Sequence, residues 1–467
     1  MNSKVWKIGI CVLLPLVILS LPAPSGMSPA AWKIFAIYIA AIFGLVLRPF
    51  DEAVILLGAI AASGLAFGNI GSLLGGYASS TAWLVFSAFM IGTAFIATGL
   101  GHRIAYLLIG RFGRSTLGLG YVAALTDLII SPATPSNTAR TGGIVYPIFQ
   151  STAVALDSTP GPTARRIGAY LTLTLYYISF TTGYTFLTAM APNALILSFG
   201  ENIFKVKVDW MLWAKAAIVP GLVTLFLIPW VVYKIYPPEV KNIDNKSLAE
   251  RGLAQLGPMS TREKILSVIF VLAVLGWALG AYFKIDATSV AIGFVAACLL
   301  TGVITWENLL ASKSAWGTFI WFGGIIGLAD TLAKANFFEW LAKLISTNMD
   351  FTGGNALVIM AALVIFSLVV RYLFASMAAY VASMVPVFFT IALAANVPVL
   401  PTIFLIAFSA GYGGMLTHYG GALSPILFGT GYVDRVTWWK NGAIVATMSF
   451  LTTFILGLTY WKLVGIW

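Results

Sequence analysis

The sequence predicts an all-α integral membrane protein, and three observations carry that prediction. Of its 467 residues 60% are hydrophobic and only 9% are charged, whereas a soluble domain carries roughly 25% charged residues. The apolar residues come in runs, such as Ile8 to Pro22 and Ile265 to Leu279, that are apolar on nearly every face. Such runs lack the period-two alternation of a transmembrane β-barrel and suit helices in lipid. They also recur at lengths close to the ~20 residues that cross a bilayer as a helix. A cytosolic enzyme, a disordered regulator and a secreted disulfide scaffold are excluded. The two cysteines, Cys11 and Cys298, lie inside apolar runs and read as small buried hydrophobes.

Taken in order, the runs place helices near 6–25, 31–48, 53–70, 82–100, 168–200, 211–236, 264–282, 286–304, 315–332, 399–429 and 438–464, which makes about eleven crossings. Lys4 and Lys7 precede the first run as in a signal peptide, but no small-residue cleavage site follows Leu21-Pro22-Ala23-Pro24. The first run is therefore read as an uncleaved helix. Two stretches, 117–155 and 355–396, do not fit as single spans. Each holds two short apolar arms, interrupted at 131–138 in the first and 374–379 in the second. Backbone freed from helical hydrogen bonding is tolerated at membrane depth only under cover of protein or water, so each is expected to be a re-entrant hairpin with its tip inside the bundle.

The stretch Pro237 to Lys264 is crowded with charge and is predicted to be a cytoplasmic linker, 237–263, between a first half 1–236 and a second half 264–467. Net charge is +11; in this composition it reads as helix orientation rather than nucleic-acid binding. Basic residues favour one side by about two to one, which predicts an inner N-terminus and an outer C-terminus. The first hairpin then opens from the cytoplasm and the second from outside. Across the linker the chain repeats itself. Val208-Asp209 with Trp213 and Lys215 matches Val433-Asp434 with Trp438 and Lys440, and Ser80-Thr81-Ala82-Trp83 matches Ser314-Ala315-Trp316. With opposite topologies the halves would form an inverted repeat, an architecture of secondary transporters.

The candidate site lies at the interruptions. Ser136-Asn137-Thr138, followed by Gly142-Gly143, supplies two hydroxyls, an amide and exposed backbone N–H groups, which suits a carboxylate. Capping of the second arm is the plainer alternative. Arg140 is expected either to bind or compensate an anion or to form an ion pair with Asp127, because a charge at depth needs a cavity or a partner. Arg371, five residues before Ser376, is its rough counterpart. The second tip, Ser376-Met377-Ala378, keeps one hydroxyl. Methionine and alanine there argue against a sodium site, which needs several oxygen ligands, while leaving substrate contact open.

Each half also carries a helix that cannot continue regularly, at Thr185 to Asn193 with Pro192, and at Gly411 to Gly421 followed by Ser424-Pro425. Half-helices starting at Asn193 or Pro425 would turn their positive ends toward the centre. His418 sits on the second unwound segment and is read as either functional or a satisfied core residue. No phosphate-cradling loop, H-E-x-x-H or metal-ligand cluster occurs in the sequence. Neither a cofactor nor a metal is expected, and neither is enzymatic activity.

SNT at 136–138 with the following TARTGG and Pro147, APN at 191–193, and LTHYGGALSPILFGTGYVD from Leu416 to Asp434 together resemble the divalent anion/sodium symporter family over essentially the whole chain. The LTHYG segment resembles its exchanger branch of bacterial and plastid dicarboxylate and citrate/succinate antiporters. The resemblance implies eleven helices with two re-entrant hairpins, a homodimer joined through scaffold helices, and elevator movement of a hairpin-bearing transport domain. It implies substrate contacts from Ser136, Asn137, Thr138 and Ser376, with Met377 and Ala378 departing from the symporter pattern. Together, the residues and the resemblance lead us to expect sodium-independent exchange of C4 or C5 dicarboxylates such as 2-oxoglutarate, malate, fumarate and succinate in a bacterial cell membrane. Thr188, Asn193, Ser424 and Pro425 are expected to contribute to binding, and Arg140, Arg371 and His418 to charge compensation. Sodium-coupled symport and citrate/succinate antiport are the alternatives.

Overall fold

A computed structural model of the chain describes residues 2–349 and 354–467. Among the described residues all regular structure is helical, and the sole strand-like contact is an isolated antiparallel bridge between Ser115 and Asn242. Among the described residues nine helices are long and apolar enough to cross a membrane, and three shorter apolar ones, Glu52–Phe67, Ala287–Leu300 and Ala356–Arg371, accompany them. The outward faces fit lipid. Thr261–Phe283 turns Val268, Val271, Leu272, Leu275 and Leu279 away from the bundle, the reverse of a soluble helix. The protein is a multi-pass integral membrane protein.

Every expected run is largely helical, those at 168–200 and 399–429 with a break, and local chemistry sets the ends. The repeated Val-Asp-x-x-x-Trp pattern is an N-cap: Asp209 accepts from the Leu212 amide at 2.7 Å to start Trp210–Ile235, and Asp434 accepts from the Thr437 amide at 3.0 Å to start Arg435–Leu451. The other repeated motif brings the two halves together. Trp83 and Phe86 meet Phe319 and Trp316, with ring centroids 4.8–5.3 Å apart, a spacing at which aromatic pairs attract beyond simple burial. At Gly327 a Cβ would lie 1.9 Å from the Leu73 carbonyl oxygen, so only glycine lets Lys313–Lys334 lie this close to Ile70–Leu74.

Both interrupted stretches form pairs of helices meeting at a non-helical tip, and one arm of each, Thr116–Ala133 and Met377–Ala394, is by itself long and apolar enough to cross a membrane, longer than the short arms expected. The first pair is Thr116–Ile130 and Tyr146–Ala155, joined through residues 131–145; the second is Ala356–Arg371 and Met377–Ala394. The helix expected at 168–200 is divided into Gly168–Thr185 and Ala191–Phe204, and Val399–Gly413 likewise ends before an irregular segment that leads to Ser424–Phe428.

The linker is more than a solvated connection. It holds the helix Asn245–Leu256, docked on the amphipathic helix Leu100–Phe112. Asn245 Nδ2 donates to the carbonyls of Ile109 and Gly110 at 2.9 and 2.7 Å, and Arg103 pairs with Glu263 at 2.6 Å. Neither Leu100–Phe112 nor a second amphipathic helix, Phe337–Asn348, was expected, because a helix with a polar stripe falls below the hydropathy of a span.

Candidate functional site

Both tips and the first helix break face one cavity of about 190 Å³, whose walls include Ser136, Asn137, Thr138, Pro192, Met377 and Ala378. Its size suits a small ligand, being below the roughly 300–1,000 Å³ of drug-sized pockets. Larger hollows of about 510 and 590 Å³ lie elsewhere. The first of these is walled almost wholly by apolar side chains of the first three helices, and neither contains a tip residue.

The first tip offers donors. Asn137 uses its Oδ1 to accept from Arg140 Nη2 at 3.3 Å, and Ser136 Oγ accepts from the Ala139 amide at 3.2 Å. Among the described residues no internal acceptor takes a proton of the Ser136 hydroxyl, the Asn137 amide or the Thr138 hydroxyl. Three neutral donors on one wall are what a carboxylate needs. The helix Ala191–Phe204 begins at the same wall, with Ala191 and Pro192 lining the cavity, and brings its positive dipole end. Pro192 is accommodated because the first turn of a helix has no partner for its N–H. A π-helical turn at Thr138–Val145 adds one residue to the local repeat and turns Arg140 into the protein.

Arg140 adopts the ion-pair alternative. It is fully buried, with Nε 3.0 Å from Asp127 Oδ2. Nη1 donates to the carbonyls of Thr134 and Ala189 at 2.8 and 3.0 Å, and Nη2 to Asn137 Oδ1 and the Ser179 carbonyl. Asp127 also accepts from Thr182 Oγ1, and the Thr141 hydroxyl lies 2.8 Å from its other oxygen. The guanidinium thus joins the tip carbonyl of Thr134 to the freed carbonyl of Ala189 in the helix break. Its charge is matched by Asp127, the ion pair that was one of the two expectations for Arg140.

Arg371 repeats this geometry without the carboxylate. Nη1 donates to the Phe374 carbonyl of the second tip at 2.6 Å, and Nη2 donates to the Gly420 carbonyl in the second unwound segment. The Tyr380 ring lies 5.2 Å below the guanidinium, a cation–π distance. Nε has no partner, and among the described residues no carboxylate lies within 4 Å of this side chain. A buried cation of this kind is costly unless something else supplies the negative charge.

Other expected site residues lie away from the cavity. Asn193 is buried, and its Nδ2 donates to the carbonyls of Gly183 and Phe186 at 2.8 and 3.1 Å, satisfying backbone freed by the break. Thr188 accepts from Trp210 Nε1 at 3.3 Å. Ser424 meets the Tyr176 hydroxyl at 2.7 Å, which also bonds the carbonyls of Gly414 and Thr417. Pro425 is exposed outside the cavity wall. None of the four lines the cavity. His418 is half-buried among Tyr419, Phe428 and Trp439, and its Nδ1 accepts from Trp439 Nε1 at 2.9 Å. That contact turns Nδ1 toward Trp439, and His418 is not among the residues that line the cavity.

The unexpected member is Glu52. It lines the cavity, and its Oε1 accepts from Ser376 Oγ at 3.1 Å and from Arg48 Nη2 at 2.6 Å. In the sequence it is simply an acidic residue in the first turn of a helix, four positions after an arginine, which the helix dipole and local pairing already explain. Nothing local signals that it meets a hairpin tip 324 residues away.

Comparison with known proteins is consistent along the whole chain. The family model described as the sodium:sulfate symporter transmembrane region matches residues 2–467. The chain is 48% identical to the inner membrane protein YbhI of Escherichia coli K12, over 100% of this chain and 99% of that protein. It is 38% identical to the putative malate transporter YflS of Bacillus subtilis, covering 99% and 97% of the two chains, and 33% identical to an L-tartrate/succinate antiporter of Escherichia coli, covering 99% of each. The solved structure of the Alcanivorax borkumensis YdaH transporter shares the fold, with a TM-score of 0.58 at 12% identity, covering 100% of this chain and 99% of that one.

Proposed function

This chain belongs to the sodium:sulfate symporter family of divalent-anion transporters, and from that premise we propose that it exchanges C4 or C5 dicarboxylates across the membrane without sodium. The carrying observation is the pair of arginines. A sodium ion at a hairpin tip needs a shell of oxygen ligands, and Arg140 takes the Thr134 and Ala189 carbonyls as Arg371 takes those of Phe374 and Gly420. Guanidinium groups therefore occupy the oxygens through which a tip and a helix break would hold a cation, and these residues do not fit sodium. The names of the relatives, a malate transporter and a tartrate/succinate antiporter, support a short dicarboxylate as substrate, with malate, succinate, fumarate and 2-oxoglutarate as the class.

One carboxylate of the substrate sits on the Ser136-Asn137-Thr138 wall, at the mouth of the Ala191–Phe204 half-helix. The other reaches the second tip at Ser376, Met377 and Ala378. Arg371 makes the unloaded carrier reluctant to move, because an uncompensated charge is expensive to carry past hydrocarbon. A bound dianion offsets it and favours the moving state. The two tips and the broken helices form a transport domain that moves as an elevator against a scaffold through which two copies pair. The N-terminus is cytoplasmic and the C-terminus outside, and the charge pattern of the loops supports that orientation.

Uptake of labelled malate into malate-loaded proteoliposomes, with external sodium replaced by choline, tests this reading. Equal rates in the two salts are expected; a rate that collapses in choline would establish sodium symport instead.

A further inference from the structure

Glu52 poses a contradiction. An anion cavity should not contain a carboxylate, since it repels a dicarboxylate brought within a few ångströms. Yet Glu52 lies in the cavity wall and holds the one side-chain hydroxyl of the second tip, Ser376 Oγ, at 3.1 Å. The start of a helix and the neighbouring Arg48 explain why a carboxylate is tolerated at this position. They do not explain why it reaches across to the tip. Nor does it cap its own helix: Asp51 holds the N-cap position of Glu52–Phe67, without a side-chain cap bond, and the Glu52 carboxylate accepts from Arg48 and Ser376 instead of a first-turn amide.

We propose that Glu52 is a built-in stand-in for a substrate carboxylate, occupying Ser376 in the unloaded carrier and leaving when a dicarboxylate binds. The inference rests on the dicarboxylate reading and deepens it. Ser376 begins Met377–Ala394 by capping the Ala379 amide at 3.2 Å, so its Oγ–H is the donor it has to spare. Glu52 takes that donor and ties the second hairpin to the helix Glu52–Phe67. The neighbouring helix Pro29–Leu47 grips the same hairpin through Tyr38, whose hydroxyl donates to the Ala382 carbonyl at 2.7 Å. An incoming carboxylate competes for Ser376 and, on winning, removes one of the two ties. Arg48 then keeps Glu52 neutralised, being 2.6 Å away already. Binding and release of the tip become one event, and an unloaded carrier remains fastened.

The test is equilibrium binding of malate to purified full-length protein, paired with malate uptake into empty and malate-loaded vesicles. Glu52→Ala frees Ser376, so malate should bind about fivefold more tightly, because the competent state no longer has to be won from an internal rival. Uptake into empty vesicles should rise by a similar factor. Glu52→Asp keeps the charge but is one methylene too short to reach Ser376, and should behave like Glu52→Ala. Glu52→Gln keeps an acceptor oxygen within reach of Ser376 but loses the charge, and should bind malate more tightly than the parent protein and less tightly than Glu52→Ala. Unchanged or weaker malate binding in Glu52→Ala, in protein that elutes as the parent does, overturns the proposal. So does Glu52→Asp behaving as the parent while Glu52→Gln behaves as Glu52→Ala, which would make charge and not reach the determinant. Failure of the parent protein to bind any of the four dicarboxylates would instead overturn the substrate reading on which the proposal rests.

Discussion

Asp127→Asn removes one negative charge from the interior and leaves almost every atom in place. In the parent protein Asp127 lies 3.0 Å from Arg140 Nε, with both side chains fully buried, and its oxygens also meet the Thr182 and Thr141 hydroxyls. An asparagine can accept from Nε through its Oδ1 but leaves the guanidinium charge uncompensated. Removing one partner of a buried pair costs about 3–5 kcal/mol, and the upper part of that range applies because no other carboxylate lies within 4 Å of Arg140 among the described residues. Thermal unfolding in detergent should show the loss directly. The double variant Asp127→Leu with Arg140→Met removes both charges and should recover part of it, with a coupling of about 0.5–3 kcal/mol in the double-mutant cycle. Asp127→Asn protein of parental stability would refute the assignment of Arg140 to an internal ion pair and return it to the substrate.

Asn137→Ala should abolish malate exchange in protein of near-parental thermal stability, since Asn137 lines the cavity and makes one internal hydrogen bond, at 3.3 Å; retained exchange would contradict the first-tip site. Arg371→Met should restore movement of the unloaded carrier, read as malate uptake into empty vesicles, by removing a buried charge that lacks a counter-ion. His418→Gln should keep exchange within about twofold, because its Nδ1 is turned to Trp439 and away from the cavity; a loss of tenfold or more in folded protein would reinstate His418 as a site residue. Gly327→Ala should yield little folded protein, given a Cβ placed 1.9 Å from the Leu73 carbonyl, and normal expression in the membrane would count against that close approach.

The fold was legible wherever one physical rule decided an element. Length and apolarity locate Trp210–Ile235 and Thr261–Phe283, and Pro192 marks the first turn of the half-helix that follows the break. The Asp209 and Asp434 caps are visible as a repeated short motif, although their capping role needs the structure. Amphipathic helices such as Leu100–Phe112 and Phe337–Asn348 were missed because they are neither spans nor loops by hydropathy.

At the site, the tip residues Ser136, Asn137, Thr138, Met377 and Ala378 could be named because polar or small residues at a helix interruption are unusual. Which way a side chain turns could not be. Asn193, Ser424 and Thr188 look as polar as Asn137 in the sequence, yet Asn193 satisfies backbone freed by the break, while Ser424 and Thr188 bond the Tyr176 and Trp210 side chains. A single π-helical turn directs Arg140 to Asp127, and Glu52 meets its partner 324 residues away. Pairings of that range leave no local pattern.

The central claim is exchange, and the most direct measurement is uptake of labelled malate into proteoliposomes that contain either unlabelled malate or buffer alone. The account predicts rapid, saturable uptake into malate-loaded vesicles and almost none into empty ones. Equal uptake into both would contradict it.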